Sequence, residues 1–411
     1  MTDTTRPAAP QDSEWTVGWR IALAAAIANG TGVSLMFYVF SMFLIPMSAE
    51  LGMTRSETGI IQSLVVTAAL GAPLIGRLTD TLGFRTVYVT TALILGLTAI
   101  AQGTVINNAT LLGISVAAAA FFGSGNSSIT LTRPITAHFS KHRGLALGLV
   151  GIGVSITAII FPPLLHFIIE DYGWRAGFLT LAGFGLGIGL PLTLLIMPRT
   201  AATARIDRHV ALAGVDLSFL KTRDFWLLAG ANMLIGIATS GAISQMSPMI
   251  QERGLSAAVA ALAVSAFAAG QFIGKLVGGW FLDRFEPRRV AALLIMVPAT
   301  GYVVLLAGGS MAWLAVFAAG LIGLLQGADI DIFAYLTSRR FGFQNYGTIF
   351  GSLHALGWIG NVGGILVFSA SFDRLGSYAP AQALALVTLL LGSLLFWPLR
   401  LAPDPVPDTT S

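Results

Sequence analysis

Two basic residues, Lys275 and Arg133, and two acidic ones, Asp329 and Asp331, sit in stretches that are otherwise almost free of charge. From Gly308 to Gly327 there is no charge at all; then the two carboxylates appear, and the next charge is Arg339. A cation among apolar residues can fix an anion, and a carboxylate out of reach of water must take up a proton or find a cation. Asp329 lies ten residues before Arg339, about 15 Å of helix rise, too deep for a short side chain to reach an interface. Positions two apart differ by about 200° on a helix, so at most one of the two aspartates faces a central cavity. Asp329 is expected there, for proton coupling. Asp331, which shares a face with Tyr335 and Arg339, is expected in a structural ladder along its own helix, with proton coupling its role if the faces are reversed.

Lys275 stands eight residues before Asp283, about 12 Å of helix. The plainer account is an ammonium that snorkels to the interface. The sharper one is a fixed cation for an anionic substrate, with Gln271 one turn away extending the polar stripe. Arg133 lies at a comparable depth, eight residues before Lys141. It could satisfy a carbonyl freed by Pro134 or act with Lys275 across a cavity, and the sequence leaves both open. His354, Trp358 and Asn361 fall at i, i+4 and i+7, one polar-aromatic helix face. Such a face suits a cavity lining or proton path as well as a satisfied core histidine. Asn29, Tyr38, Asn232 and Thr239 are weaker candidates of the same kind.

Other chemistries find no residues. There is no cysteine, and no histidine or carboxylate cluster has metal-ligand spacing. The glycine-rich run Gly183 to Gly189 lacks the lysine that a phosphate loop requires and is explained by close helix packing. No nucleophile and base pair can be named. Neither a metal, a cofactor nor enzymatic activity is expected, and a signalling receptor would need an output domain.

The elements that position these residues follow from composition. Of 411 residues 55% are hydrophobic and 10% charged, where a soluble domain carries about 25% charged. Runs of about 20 apolar residues recur along the chain, near 19–46, 57–76, 86–105, 110–136, 144–167, 174–197, 225–250, 257–281, 289–308, 311–336, 346–369 and 378–400. The first is too long for a cleaved signal segment. The fold class is therefore all-α: a polytopic membrane protein of twelve transmembrane helices. The expected organisation is a tail at 1–18, a six-helix bundle at 19–197, a linker at 198–223, a second six-helix bundle at 224–400 and a tail at 401–411.

Of the 23 lysines and arginines, seventeen fall on the side of the termini and linker, four (Arg55, Arg175, Arg253, Arg374) on the other, and Arg133 and Lys275 lie within spans. The positive-inside rule puts both termini in the cytoplasm. The net charge of +4 is thus topogenic rather than a sign of nucleic-acid binding.

The halves echo each other. Gly76-Arg-Leu-Thr-Asp80-Thr-Leu-Gly-Phe-Arg85 aligns with Gly279-Trp-Phe-Leu-Asp283-Arg-Phe-Glu-Pro-Arg288 at an offset of 203, which also pairs Gly144 with Gly347, Gly148 with Gly351 and Gly173 with Gly376. The same offset maps Asp329 onto Asn126, which shares a face with Arg133, and this favours Asp329 as the cavity residue. Two parallel six-helix repeats place a substrate site between the halves near the midplane. Asp80, Arg85, Asp283 and Arg288 are expected to tie helices together in one conformation and so govern the switch between states.

The first of these loops resembles the signature loop of the major facilitator superfamily, and the second fits as its degenerate copy. His138-Phe-Ser-Lys-His-Arg143-Gly-Leu-Ala-Leu-Gly148 is similar to a stretch of the monocarboxylate and oxalate/formate branch. That branch often has a substrate-binding arginine in the eighth span, where this chain has Lys275. The resemblance covers the whole chain. It implies a secondary transporter of a small organic anion, with a monocarboxylate as the expected substrate, by proton symport or anion exchange. Its partners would be that anion, protons or a counter-anion, and the lipid bilayer of a plasma or inner membrane, with the protein monomeric. A multidrug exporter of the same fold is the alternative; the segment from Gly153 to Pro163 lacks the glycine-proline pattern such exporters often carry in span five.

Overall fold

The computed structural model describes residues 14–127, 130–131, 134–135, 138–139, 143–198, 218–307, 311–342 and 346–399; the side chains of Asp80 and Asp283, among a few others, lie outside that description. All regular structure among the described residues is helical. The chain starts with α1 (Trp15–Gly30) and α2 (Val33–Val39), a pair bent by 42°. It continues through α3 (Leu44–Leu51), α4 (Arg55–Ser63), α5 (Thr67–Leu82), α6 (Phe84–Thr104), α7 (Ala109–Gly123) and α8 (Arg143–Gly183). A π-helical turn at Phe184–Gly189 leads into α9 (Leu190–Ile196). Beyond the linker come α10 (Arg223–Ser244), α11 (Met246–Gln251), α12 (Ala257–Arg284), α13 (Pro287–Ala307), α14 (Ala312–Phe341), α15 (Tyr346–Leu375) and α16 (Ala379–Leu394).

Helix occupies each of the twelve apolar stretches. Among the described residues, eight helices are long and apolar enough by themselves to cross a membrane, or nine with the bent α1–α2 pair. The difference from twelve has local causes. The backbone at Gly173 is non-helical (φ 81°), so α8 is two helices in one continuous run. The second span is divided between α4 and α5 by a 3₁₀ turn at Leu64–Val66, and α16 is short, at 16 residues. Gly376, the partner of Gly173 at the offset of 203, also has positive φ, at 68°. Both mark the sharp turn ahead of a final helix, at a backbone angle that costs glycine little.

Close approach of α12 and α14 fixes the best-defined part of the site. Gly270, Gly274 and Gly278 on α12 and Gly323 and Gly327 on α14 lie against the opposing helix so tightly that an added Cβ would strike it, at the backbone for all but Gly278. Small residues at four-residue spacing permit such backbone contact between membrane helices. Leu324 and Ala328 therefore lie beside Gly274 and Gly278, and Lys275 is held next to the start of the two-aspartate segment.

The end of the bundle opposite the described termini is closed by contacts between the first six stretches and the last six. The Asp373 carboxylate at the end of α15 accepts from the backbone amides of Arg55 (3.0 Å) and Ser56 at the start of α4. One turn further, Gly59 packs directly on Ser369. Ser265 Oγ of α12 donates to the Ile159 carbonyl of α8 at 2.7 Å.

Candidate functional site

Between these two sets of helices lies a cavity of about 330 Å³. Its walls come from α1 and α2, the turn between α4 and α5, α8, α10, α12, α14 and α15. The predicted residues Asn29, Tyr38, Gln271, Lys275, Asp329 and His354 all line it, together with Asn232, Trp358 and Asn361. The face at His354, Trp358 and Asn361 thus looks inward. Phe350, a turn before His354, stacks on its ring with centroids 5.9 Å apart.

Lys275 is the centre of the arrangement. Its ammonium reaches across from α12 to α8, where a Cβ built on Gly151 would lie 2.8 Å from Nζ. Among the described residues it has no ion-pair partner within 4.0 Å and no hydrogen bond. Asp329 and Asp331 both lie within its electrostatic range. A half-buried cation facing a cavity without a bound counter-charge is poised to receive an anion.

Asp329 lines the cavity and turns one carboxylate oxygen to the Ile330 amide at 2.6 Å. Asp331 is not part of the lining. The ladder predicted for it is not seen among the described residues: no hydrogen bond joins it to Tyr335, and Arg339 is eight residues on, about 12 Å along the helix. Asn126, the offset partner of Asp329, does not line this cavity. It lies in a 3₁₀ turn at Ser124–Asn126 and lines a separate void of about 30 Å³ beside Thr31 and Tyr88. Ser124 and Ser127 take the cavity positions. Arg133 lies outside the described residues.

Tyr38 links the two sides. Its hydroxyl and the Gln271 amide of α12 line the same cavity, and its ring lies 6.5 Å from that of Phe267 of α12. Thr239 is buried and donates to the Ile235 carbonyl at 3.0 Å; its neighbour Ser240 lines the cavity instead. Gln326 was missed in the sequence. It lines the cavity with an unsatisfied amide oxygen, and its place three residues before Asp329, on the same helix face, was the available signal.

The loop arginines reach carbonyls at the end of the last helix of each half. Arg85 donates to the Leu194 carbonyl at 3.3 Å and Arg288 to that of Leu399 at 3.0 Å. Arg288 also pairs with Glu286 at 2.6 Å.

The model of the Major Facilitator Superfamily matches residues 24–243 and again 228–411. Monocarboxylate transporter 11 of Mus musculus is 27% identical over 375 residues, spanning 87% of this chain and 78% of the mouse protein. Monocarboxylate transporter 12-B of Danio rerio is 25% identical over 433 residues, 94% of this chain and 87% of that one. Among solved structures, the nucleoside transporter NupG superposes with a TM-score of 0.74 at 12% identity, covering 93% of this chain and 97% of that chain. A bacterial homologue of the human lysosomal transporter Spinster, inward-facing and unoccupied, superposes with a TM-score of 0.70 at 15% identity, covering 94% and 97%. Helices throughout, a polar cavity between two sets of them and a family match along nearly the whole chain agree: this multi-pass membrane protein belongs to the Major Facilitator Superfamily and is a secondary transporter, not an enzyme.

Proposed function

We propose that the cargo is a small organic anion, a monocarboxylate, moved by alternating access between two six-helix bundles at 19–197 and 224–400. The observation that carries this reading is Lys275, a cavity cation with no ion-pair partner among the described residues. One ammonium matches one carboxylate; it is a point charge and lacks the two-pronged grip of arginine. Gln271, Tyr38 and Gln326 offer hydrogen bonds around it, and Trp358 and Phe37 offer apolar wall. The names of the relatives, monocarboxylate transporters, support the same class.

Transport is driven by a proton gradient or by exchange against an internal anion. In the first case Asp329 carries the proton: an anion that neutralises Lys275 removes the charge that keeps the nearby carboxylate ionised, so anion and proton load together. The far-end contacts at Asp373 and Ser265 close one access route. With both termini in the cytoplasm, the positions of the lysines and arginines make that closed end the outer one, in a plasma or inner membrane.

The test is uptake of a panel of labelled acids into proteoliposomes, with and without a pH gradient. Lys275→Ala abolishes uptake without loss of folded protein, and Lys275→Arg retains part of it. Normal transport by Lys275→Gln would sink the anion-site reading, and transport of neutral or cationic drugs in place of acids would favour an exporter.

A further inference from the structure

A second cavity, chemically opposite, lies on the outer flank of α1, α8 and the π-helical turn. It measures about 380 Å³ and is bounded by Trp19, Leu23, Ala26, Ile156, Ile188 and Leu192, with Gly30 and Gly153 at its inner end. Its shape has a local origin. At Gly30 and Gly153 the two helices touch backbone to backbone, since a Cβ on either would strike the other helix. Beside that contact the π-helical segment Phe184–Gly189 contributes Phe184 and Ile188 to the wall, with Leu192 one turn further along.

We propose that this groove binds one acyl chain of an anionic phospholipid, with the headgroup phosphate on Arg20. Three observations identify the occupant. The rim is apolar and faces outward: Trp19 is 51% exposed, Ile156 50% and Ile188 48%, so in a chain that crosses a membrane the medium at its mouth is lipid. The two hydroxyls that line it are already spent inside the protein, Thr31 donating to the Ile27 carbonyl at 2.9 Å and Thr157 to the Gly153 carbonyl at 3.2 Å, so nothing in the groove calls for water. Its depth fits as well. From Trp19 to Gly30 is eleven residues, about 16 Å of helix, close to one leaflet of a hydrocarbon core about 30 Å thick.

The mouth supplies the headgroup chemistry. Trp15 and Trp19 stand there, as tryptophans do at a membrane interface. Arg20 is exposed on the same turn, three residues before Leu23 and seven before Ile27, both of which line the groove, so it belongs to the flank of the same face. Among the described residues it has no ion pair and no hydrogen bond. A guanidinium in that position grips a phosphate by two donors. This site is separate from the central cavity and does not depend on what the protein carries.

Native mass spectrometry of the delipidated full chain, with phosphatidylglycerol or phosphatidylcholine of identical acyl chains added back, tests it. One phosphatidylglycerol is expected to bind, at least fivefold more tightly than phosphatidylcholine. Ala26→Phe fills the groove and weakens both lipids tenfold or more; Leu23→Trp, on the exposed rim where packing is undisturbed, obstructs the mouth and does the same. Arg20→Gln brings phosphatidylglycerol down to the level of phosphatidylcholine and leaves the latter unchanged. Equal binding of the two lipids by the unaltered chain, or undiminished binding in Leu23→Trp, overturns the proposal. A lipid-free dimer that protects Trp19 from aqueous quenchers overturns it too, because a second copy would then cover the groove.

Discussion

Asn29 and Asn232, 203 residues apart, make the same bond: each side-chain amide donates to a carbonyl of another helix, Val150 at 3.0 Å and Leu353 at 2.9 Å, and the two acceptors are also 203 residues apart. The offset that pairs the loop motifs in the sequence thus also pairs hydrogen bonds in the structure. Each ties the helix that opens a half to the fifth helix of that half. Replacing either asparagine by alanine leaves a carbonyl short of its donor, at a cost of about 0.6–2 kcal/mol in a membrane protein. The two bonds go to different carbonyls on different helices, so the double variant should sum the single losses within about 0.5 kcal/mol. Unfolding in detergent of both single variants and the double checks this; a double variant no weaker than either single one counts against two independent ties.

Asp329 and Asp331 should separate in function although both feel Lys275. Asp329 lines the cavity and Asp331 does not. Asp329→Asn is expected to abolish gradient-driven accumulation, by tenfold or more, while exchange of internal for external substrate survives. Asp331→Asn should retain coupling and change expression or thermal stability. Proteoliposomes carrying each variant, assayed for both activities side by side, decide it. The reverse pattern would show that the coupling carboxylate is the one outside the cavity, and unimpaired coupling in both would move the proton path to His354 or leave a pure exchanger.

The closed end depends on Asp373 capping the start of α4 through the amides of Arg55 and Ser56. A carboxylate at a helix N-terminus is favoured by both the free amides and the helix dipole. Asp373→Asn should therefore shift the population toward a state open at that end, while affinity at the cavity changes little once substrate is bound. The chain has no cysteine, so spin labels at cysteines introduced for the exposed Asn107 and Arg374 report the far end without background. A longer mean distance is expected in Asp373→Asn. An unchanged distribution would falsify the latch.

Glu50, on the same side of the molecule, is expected to contribute to stability in a pH-dependent way. Its carboxylate accepts from the Trp174 indole at 2.6 Å and pairs with Arg175, which in turn donates to the Ile106 carbonyl at 2.9 Å. Hydrogen bonding from Trp174, and then from Arg175, holds the Glu50 pKa below its ordinary 4.5. A depressed pKa means that the contribution is fully present above the ordinary value and lost as pH falls through the lower one. The gap in thermal midpoint between the unaltered chain and Glu50→Gln should be constant from about pH 8 to about pH 6 and close below about pH 4. A gap that closes near neutrality would show that another group is responsible.

The sequence by itself determined which stretches enter the membrane, because long apolar runs admit few other fates, and it located the charges that such runs cannot hide. It also settled what lies on one helix face: His354, Trp358 and Asn361 share the cavity as their spacing requires, and Lys275 with Gln271 does likewise. Helical periodicity is local information, readable without a partner. Only the tertiary structure decided how the faces turn toward one another. Asn126 and Asp329 are equivalent by offset, yet one lines a small void and the other the cavity: Asn126 sits in a 3₁₀ turn at Ser124–Asn126, where Asp329 sits within a continuous α-helix. The Asp331 ladder is likewise not seen among the described residues: the helix face that Asp331 shares with Tyr335 and Arg339 carries no hydrogen bond or ion pair from it. The closure of Asp373 on Arg55 joins residues 318 positions apart. Such contacts arise from how closely backbones can approach, as at Gly274 and Leu324, and that distance is set jointly by two helices, never by the sequence of one.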